Sequence, residues 1–295
     1  MALAHENEIE NAARILPDEM RNSLWFLDAA LLSSAEEIRL RIGLEPTVLS
    51  QGSEWPFYGG RKVERDDIDV VLQRATMSSL HTAQGELRRG FVTTRGGVRI
   101  GVCGTVTHDG GISGVKDVSS VAVRVARQVK GAGASAALEI IKGGHSALIL
   151  SPPGGGKTTF LRELVRQTSQ YGTRVAVADE RGEVAAAFDG VPMFDVGRVT
   201  DVLTGAPKSE GAMMLLRSMN PQVIALDEIT ASQDVSAIKE IINCGVRIYA
   251  TAHAQCLDDL KRRPLYKSLL ALGAFDRAVI ISAQGQGRRY EVMRI

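Results

Sequence analysis

The chain has 295 residues, enough for two cores, and its 44% hydrophobic and 23% charged content is that of an ordinary globular protein. Its 35 basic and 34 acidic residues leave a formal net charge of +1, so no global field favours a nucleic-acid or phospholipid partner. No apolar run approaches a membrane span and His5, Glu6 and Glu8 interrupt any signal sequence, so the expectation is a cytoplasmic protein without direct membrane insertion.

The first half reads as α+β. A helical start over Glu8–Leu31 leads to Glu37-Ile38-Arg39-Leu40-Arg41-Ile42, which alternates as a half-exposed strand does. A second helical region covers Asp66–Gly85, and a hairpin follows at Gly90–Thr94 and Val98–Val106, turned around Arg95-Gly96-Gly97. Val121–Ala126 is one more alternating strand. The run Gly131-Ala132-Gly133-Ala134-Ser135 resembles a short joint, so the predicted organisation is an N-terminal domain over 1–130, a joint over 131–145 and a second domain over 146–295. Cys103, Cys244 and Cys256 are odd in number and widely spaced, which suits buried thiols in a reducing compartment better than a disulfide frame.

From Ser146 onward apolar strands alternate with amphipathic helices, the pattern of a parallel sheet with crossover helices. Strands are predicted at Ala147–Leu150, Arg174–Ala178, Val223–Leu226, Arg247–Thr251, Arg277–Ser282 and Tyr290–Arg294. Helices are predicted at Thr158–Tyr171, Lys208–Met219, Ser232–Asn243 and Leu257–Ala271. The fold class is therefore α/β: a RecA-like, doubly wound, mostly parallel C-terminal core preceded by a smaller α+β domain. Chemistry is expected at the carboxyl ends of the parallel strands.

The densest signal is Ser146 to Thr159. A strand-like apolar run ends in Ser151-Pro152-Pro153-Gly154-Gly155-Gly156, and Lys157-Thr158-Thr159 opens a helix. Glycines let successive amides turn around a polyphosphate, and the helix N-terminus adds its positive dipole end. Lys157 reaches the outer phosphates and the Thr158 hydroxyl can ligate Mg²⁺, so ATP and Mg²⁺ are the expected ligands. Ser151 stands where the P-loop pattern begins with Gly, a small-for-small exchange.

Three other strand ends carry polar chemistry. Val223-Ile224-Ala225-Leu226 runs into Asp227-Glu228; Asp227 is the acid for Mg²⁺ through water, and Glu228 the one to orient the attacking water. Asp179-Glu180 follows the second strand, where either acid can approach the γ-phosphate or simply stabilise the next helix N-terminus. His253, in Thr251-Ala252-His253-Ala254, can report phosphate or serve as a structural hydrogen-bonding residue.

With these elements placed, the chain resembles the secretion ATPases of type II and type IV systems. They share the P-loop, an acidic box after the second strand, a Walker B ending in Glu and a Thr-x-His-Ala-like histidine box. Leu216-Arg217 through Pro221, Glu228 and Ile229 is similar to their Leu-Arg…Pro-Asp…Glu-Ile-Arg segment, although Thr230 stands where an Arg is common. The likeness is closer to the stage III AA family of sporulation ATPases. Glu36-Glu37-Ile38-Arg39-Leu40-Arg41, Gly97-Val98-Arg99-Ile100-Gly101-Val102-Cys103-Gly104 and Asp179-Glu180-Arg181 carry it, and it spans roughly residues 15–290.

That resemblance implies a homo-hexameric ring on the mother-cell side of a secretion-like channel, with membrane-embedded channel proteins as partners. A ring invites an arginine from a neighbouring subunit, worth ~10³–10⁵ in the rate of phosphoryl transfer. Arg88, Arg89, Arg99, Arg124 and Arg127 are candidates in the first half. Arg124 and Arg127 lie where related ATPases carry nucleotide-contacting arginines; the plainer alternative is an exposed basic strand face. A nucleotide-gated scaffold with negligible turnover stays open as a second reading. A nucleic-acid motor is the third, disfavoured because 5% aromatic content offers few stacking platforms.

Overall fold

The computed structural model describes residues 8–76, 87, 88, 90–109, 112–285 and 287–295. The chain divides into two compact units, Met1–Arg127 and Gln128–Ile295.

In the N-terminal unit, α1 (Glu8–Ala13), α2 (Asp18–Leu24) and α3 (Ala29–Ser34) replace the single helical start. Pro17 opens α2, and the Asp28 carboxylate accepts the Ala30 amide at 2.7 Å to open α3, so local capping chemistry cuts the run twice. A six-stranded antiparallel sheet follows, in the order β3-β2-β1-β6-β5-β4. Its strands are β1 (Ala35–Arg41), β2 (Thr47–Ser50), β3 (Ser53–Pro56), β4 (Phe91–Thr94), β5 (Val98–His108) and β6 (Ile112–Arg124). Sequence reading missed β2 and β3. Their two-residue turn takes positive φ at Gln51 and Gly52 (50° and 78°), and Gln lacks the Asn or Asp that signals such a turn. The helix α4 (Arg65–Ala75) shares one core with the sheet through Ile68, Val71, Ile38 and Leu40. Residues 77–85 of the helix predicted there lie outside the described residues.

The C-terminal unit begins with a helix. Where a joint was expected, α5 (Ala134–Gly143) forms between Gly133 and Gly144, both in the left-handed region, and buries Ala136, Ala137 and Ile140. The glycines signal caps here, not a flexible tether. The sheet has seven strands in the order β13-β12-β7-β11-β10-β8-β9, parallel throughout except for β13 at one edge. They are β7 (Ala147–Ser151), β8 (Val175–Asp179), β9 (Thr200–Thr204), β10 (Val223–Leu226), β11 (Arg247–His253), β12 (Arg277–Gln284) and β13 (Gly287–Arg294). The short, half-buried edge strand β9 was not predicted, because Thr-Asp-Val-Leu-Thr holds only two apolar residues.

Helices cover both faces. Ile149, Val177, Ala225 and Tyr249 join a core with α5 and α6 (Lys157–Gln170). Leu148, Leu150, Leu226 and Ala250 join another, with α7 (Lys208–Ser218), α8 (Ser232–Asn243), α9 (Leu257–Lys261) and α10 (Pro264–Ala271). Pro264 divides the predicted Leu257–Ala271 helix, since a proline inside a helix removes a donor and clashes with the preceding turn. All three cysteines are free and exposed, not buried as expected: Cys103 in the middle of β5, Cys244 at the end of α8 and Cys256 at the start of α9.

Candidate functional site

The sheet order builds the site. From β7 the chain skips two strand positions to reach β8, so β11 and β10 lie between them. The loop after β7 therefore opens beside the carboxyl ends of β11 and β10. Ser151 pairs in register with His253, which brings two of the predicted groups to one place.

Within the loop, Gly156 has φ 94° and caps α6 from the left-handed region, a conformation that favours glycine. At Gly155 the limit is space: a Cβ there would lie 2.3 Å from the Ser151 hydroxyl oxygen and 3.0 Å from the Pro152 carbonyl. Both positions leave a backbone concavity ahead of the α6 N-terminus. Pro152, Pro153 and Gly154 are exposed on its rim, and Thr158 and Thr159 are half-buried in the first turn.

Lys157 is buried and uses all three of its donors. Its ammonium donates to the Ser151 and Pro152 carbonyls at 3.2 and 3.3 Å and meets His253 Nδ1 at 2.8 Å. Because Lys157 can only donate, Nδ1 must accept, which places the ring proton on Nε2. That nitrogen faces Glu228 Oε1 at 3.0 Å. Burial holds the Lys157 pKa below the usual lysine value, against the pull of Asp227 and Glu228.

Asp227 sits between two hydroxyls. Thr158 Oγ1 donates to one carboxylate oxygen at 2.9 Å, and Thr251 Oγ1 to the other at 2.7 Å. Thr251 Oγ1 in turn accepts the Glu228 amide at 2.7 Å. This restraint holds Glu228 at φ 54°, a left-handed backbone that costs a non-glycine residue on the order of 1–3 kcal/mol. The distortion aims Glu228 across the strand ends, where its second oxygen accepts from Arg181 at 3.1 Å.

The acids after β8 divide their roles. Asp179 is buried, and its carboxylate accepts the amides of Glu183, Val184 and Ala185, so it shapes the following loop. Burial raises its pKa, with those amides opposing. Glu180 turns to the start of α7, accepting from the Lys208 amide at 3.3 Å and lying 3.4 Å from its ammonium. Both acids still line one small cleft with Arg181, Lys208, Asp227 and Glu228.

Sequence reasoning gave no role to Thr251, Arg181 or Lys208. Thr251 lies inside an apolar strand two residues before His253, a placement that could have flagged it. Lys208 is buried beside Asp234 and Thr230, at 3.7 and 3.4 Å, and places a positive charge under the start of α7 and α8. Arg162, buried under the loop, donates to the Val184 and Glu183 carbonyls, and burial lowers its pKa to about 10.

The predicted arginines belong to the N-terminal unit. Arg124 lies 3.2 Å from Glu37 and is largely exposed, while Arg127 donates to the Ala35 carbonyl at 2.7 Å. Arg88 donates to the Ser113 carbonyl, and Arg99 lies over the Phe91 ring at 3.7 Å. Arg89 lies outside the described residues.

Among the described residues no three or more His, Cys, Asp and Glu side chains gather to hold a metal. The Thr158–Asp227 pair instead suits Mg²⁺, which takes one or two protein oxygens and completes its shell with water and phosphate.

A parallel sheet with a glycine loop, an embedded lysine and a hydroxyl–carboxylate pair at its strand ends defines a P-loop α/β protein. Solved structures agree on the fold. The Legionella pneumophila ATPase DotB matches with a TM-score of 0.59 at 17% identity, covering 89% of this chain and 76% of its own. The pilus retraction motor PilT with bound ADP matches with a TM-score of 0.62 at 17% identity, covering 88% and 79%. The chain belongs to the family described as Sporulation stage III, protein AA, whose model matches residues 6–293. It is 36% identical to stage III sporulation protein AA of Bacillus subtilis (strain 168), over 95% of this chain and 92% of that one. Among the described residues no helix is long and apolar enough to cross a membrane.

Proposed function

We propose that the chain is an Mg²⁺-dependent ATPase that works as a hexameric ring, powering or gating a secretion-like channel between mother cell and forespore from the cytoplasmic, mother-cell side. The observation that carries the reading is the chain of contacts from Lys157 through His253 to Glu228, set beside the Thr158–Asp227 pair. DotB is an ATPase and PilT a motor that binds ADP, which supports the same activity on this fold.

In this reading the loop amides and the α6 dipole bind the phosphates, and Lys157 offsets their charge once it leaves the Ser151 and Pro152 carbonyls. Thr158 would hold Mg²⁺ directly and Asp227 through water, and the ion would supply charge neutralisation at the phosphate oxygens. Glu228 orients the attacking water and accepts its proton. His253 couples the two events: when Lys157 turns away, Nδ1 loses its donor and the hold of Nε2 on Glu228 changes. Glu180 stands at the edge of the same cleft, positioned by Lys208. Arg124, exposed on the N-terminal unit, and Arg127 are the candidates to complete a neighbouring subunit's site.

A second reading, a nucleotide-gated scaffold with negligible turnover, draws on one feature. Both Glu228 oxygens are engaged, by Arg181 and by His253, which restrains the group that must activate water. Steady-state phosphate release by the parent chain and by Glu228→Gln separates the two. If the chain is an ATPase, release falls at least 100-fold in the variant while ATP remains bound. Phosphate release at the parent rate would remove Glu228 from the mechanism, and negligible release by the parent chain would favour the scaffold.

A further inference from the structure

We infer that Arg288 is a nucleotide-binding residue in cis, directed at the inner phosphates of a nucleoside di- or triphosphate held by the Gly154–Gly156 loop. This rests on the reading of that loop as a nucleotide site. The placement begins with the β12–β13 hairpin, whose register sets Arg288 opposite Ala283. Tyr290, two residues on and therefore on the same face of β13, packs its ring against Phe160 in the first turn of α6, with centroids 5.2 Å apart. That contact fixes β13 against α6 and carries Arg288 over the loop.

Two separate observations locate the guanidinium. Nη2 donates to the Gly154 carbonyl at 3.2 Å. A Cβ on Gly156 would lie 2.9 Å from the Arg288 Cζ and Nη1, so the group rests directly on that glycine. As a structural latch the arrangement is weak: one long hydrogen bond from an exposed side chain contributes little to stability. A planar cation presenting five N–H groups over a phosphate-binding backbone is instead suited to bidentate phosphate contact.

The flank decides which phosphates it meets. β12 pairs with β7 on the side away from β11, whereas Asp227 and Glu228 follow β10, beyond β11. A polyphosphate whose outer end faces those acids turns its inner phosphates toward Arg288. The contact is therefore common to ADP and ATP, unlike an arginine acting at the terminal phosphate.

Isothermal calorimetry on the full chain with Mg²⁺, using ADP and ATP in turn, tests this with Arg288→Ala and Arg288→Lys. The expected result is a dissociation constant raised about tenfold or more in Arg288→Ala, by the same factor for both nucleotides, and partly recovered in Arg288→Lys. Far-UV circular dichroism and the melting temperature confirm that each variant is folded. Unchanged affinity in Arg288→Ala, while the parent binds both nucleotides, overturns the inference and leaves the nucleotide site standing, as does a loss confined to ATP. A parent chain that binds neither nucleotide overturns both.

Discussion

All five residues of β7 and all five of β8 are buried, whereas β1 of the N-terminal sheet alternates buried positions with half-exposed ones. A parallel sheet covered on both faces by helices has no polar face to give to chemistry. Only its strand ends remain, and there Ser151, Asp179, Asp227 and His253 cluster. The antiparallel sheet keeps a polar face, and fills it with ion pairs: Glu37 with Arg39 and Arg124, and Glu54 with Arg41. The same network that positions Arg124 also restrains it. One unit thus gathers its polar groups at an edge of a dry core, and the other spreads charge across a wet surface.

The largest effect that can break this contrast is expected in the dry sheet. Ile149 is fully buried in the layer shared with α5 and α6. Ile149→Ala should cost about 2–5 kcal/mol through lost burial and the cavity left behind, measured by urea unfolding. A loss below about 1 kcal/mol would mean that the layer is loosely packed.

The counterpart on the wet face is small. Glu54, paired with Arg41 and bonded to Thr47, has its pKa lowered to about 2 from 4.5. Because the folded value is depressed, its contribution is present above about pH 4.5 and is lost as pH falls toward about 2. Solvent screening keeps that contribution under about 1 kcal/mol. Glu54→Gln should therefore lower stability slightly at neutral pH and flatten the acid limb of the stability profile. A variant with an unaltered acid limb would show that the pairing carries no linkage.

The same contrast explains what the sequence made legible. Continuous apolar runs ending in polar residues or glycine announce a buried parallel strand, so β7, β10 and β11 were legible, and with them the placing of Lys157, Asp227, Glu228 and His253 at one end of the sheet. The short strands β2, β3 and β9 carry too few apolar residues to show a period. Capping by Asp28 and the break at Pro264 are local signals that a longer helical pattern conceals. What could not be read at all was the connectivity between distant residues. Thr251 bridges Asp227 to the Glu228 amide, Arg181 engages the Glu228 carboxylate, and Arg288 comes to Gly156 from more than a hundred residues away in sequence. Each depends on strand order, which periodicity does not specify.

The central claim is that the Gly154–Gly156 loop and Lys157 bind a triphosphate. Calorimetric titration of the folded full-length chain with ATP and Mg²⁺ tests it most directly. The account predicts saturable heat from the parent chain and none from Lys157→Ala at the same concentrations. Absence of heat from the folded parent, or equal affinity in Lys157→Ala, would contradict it.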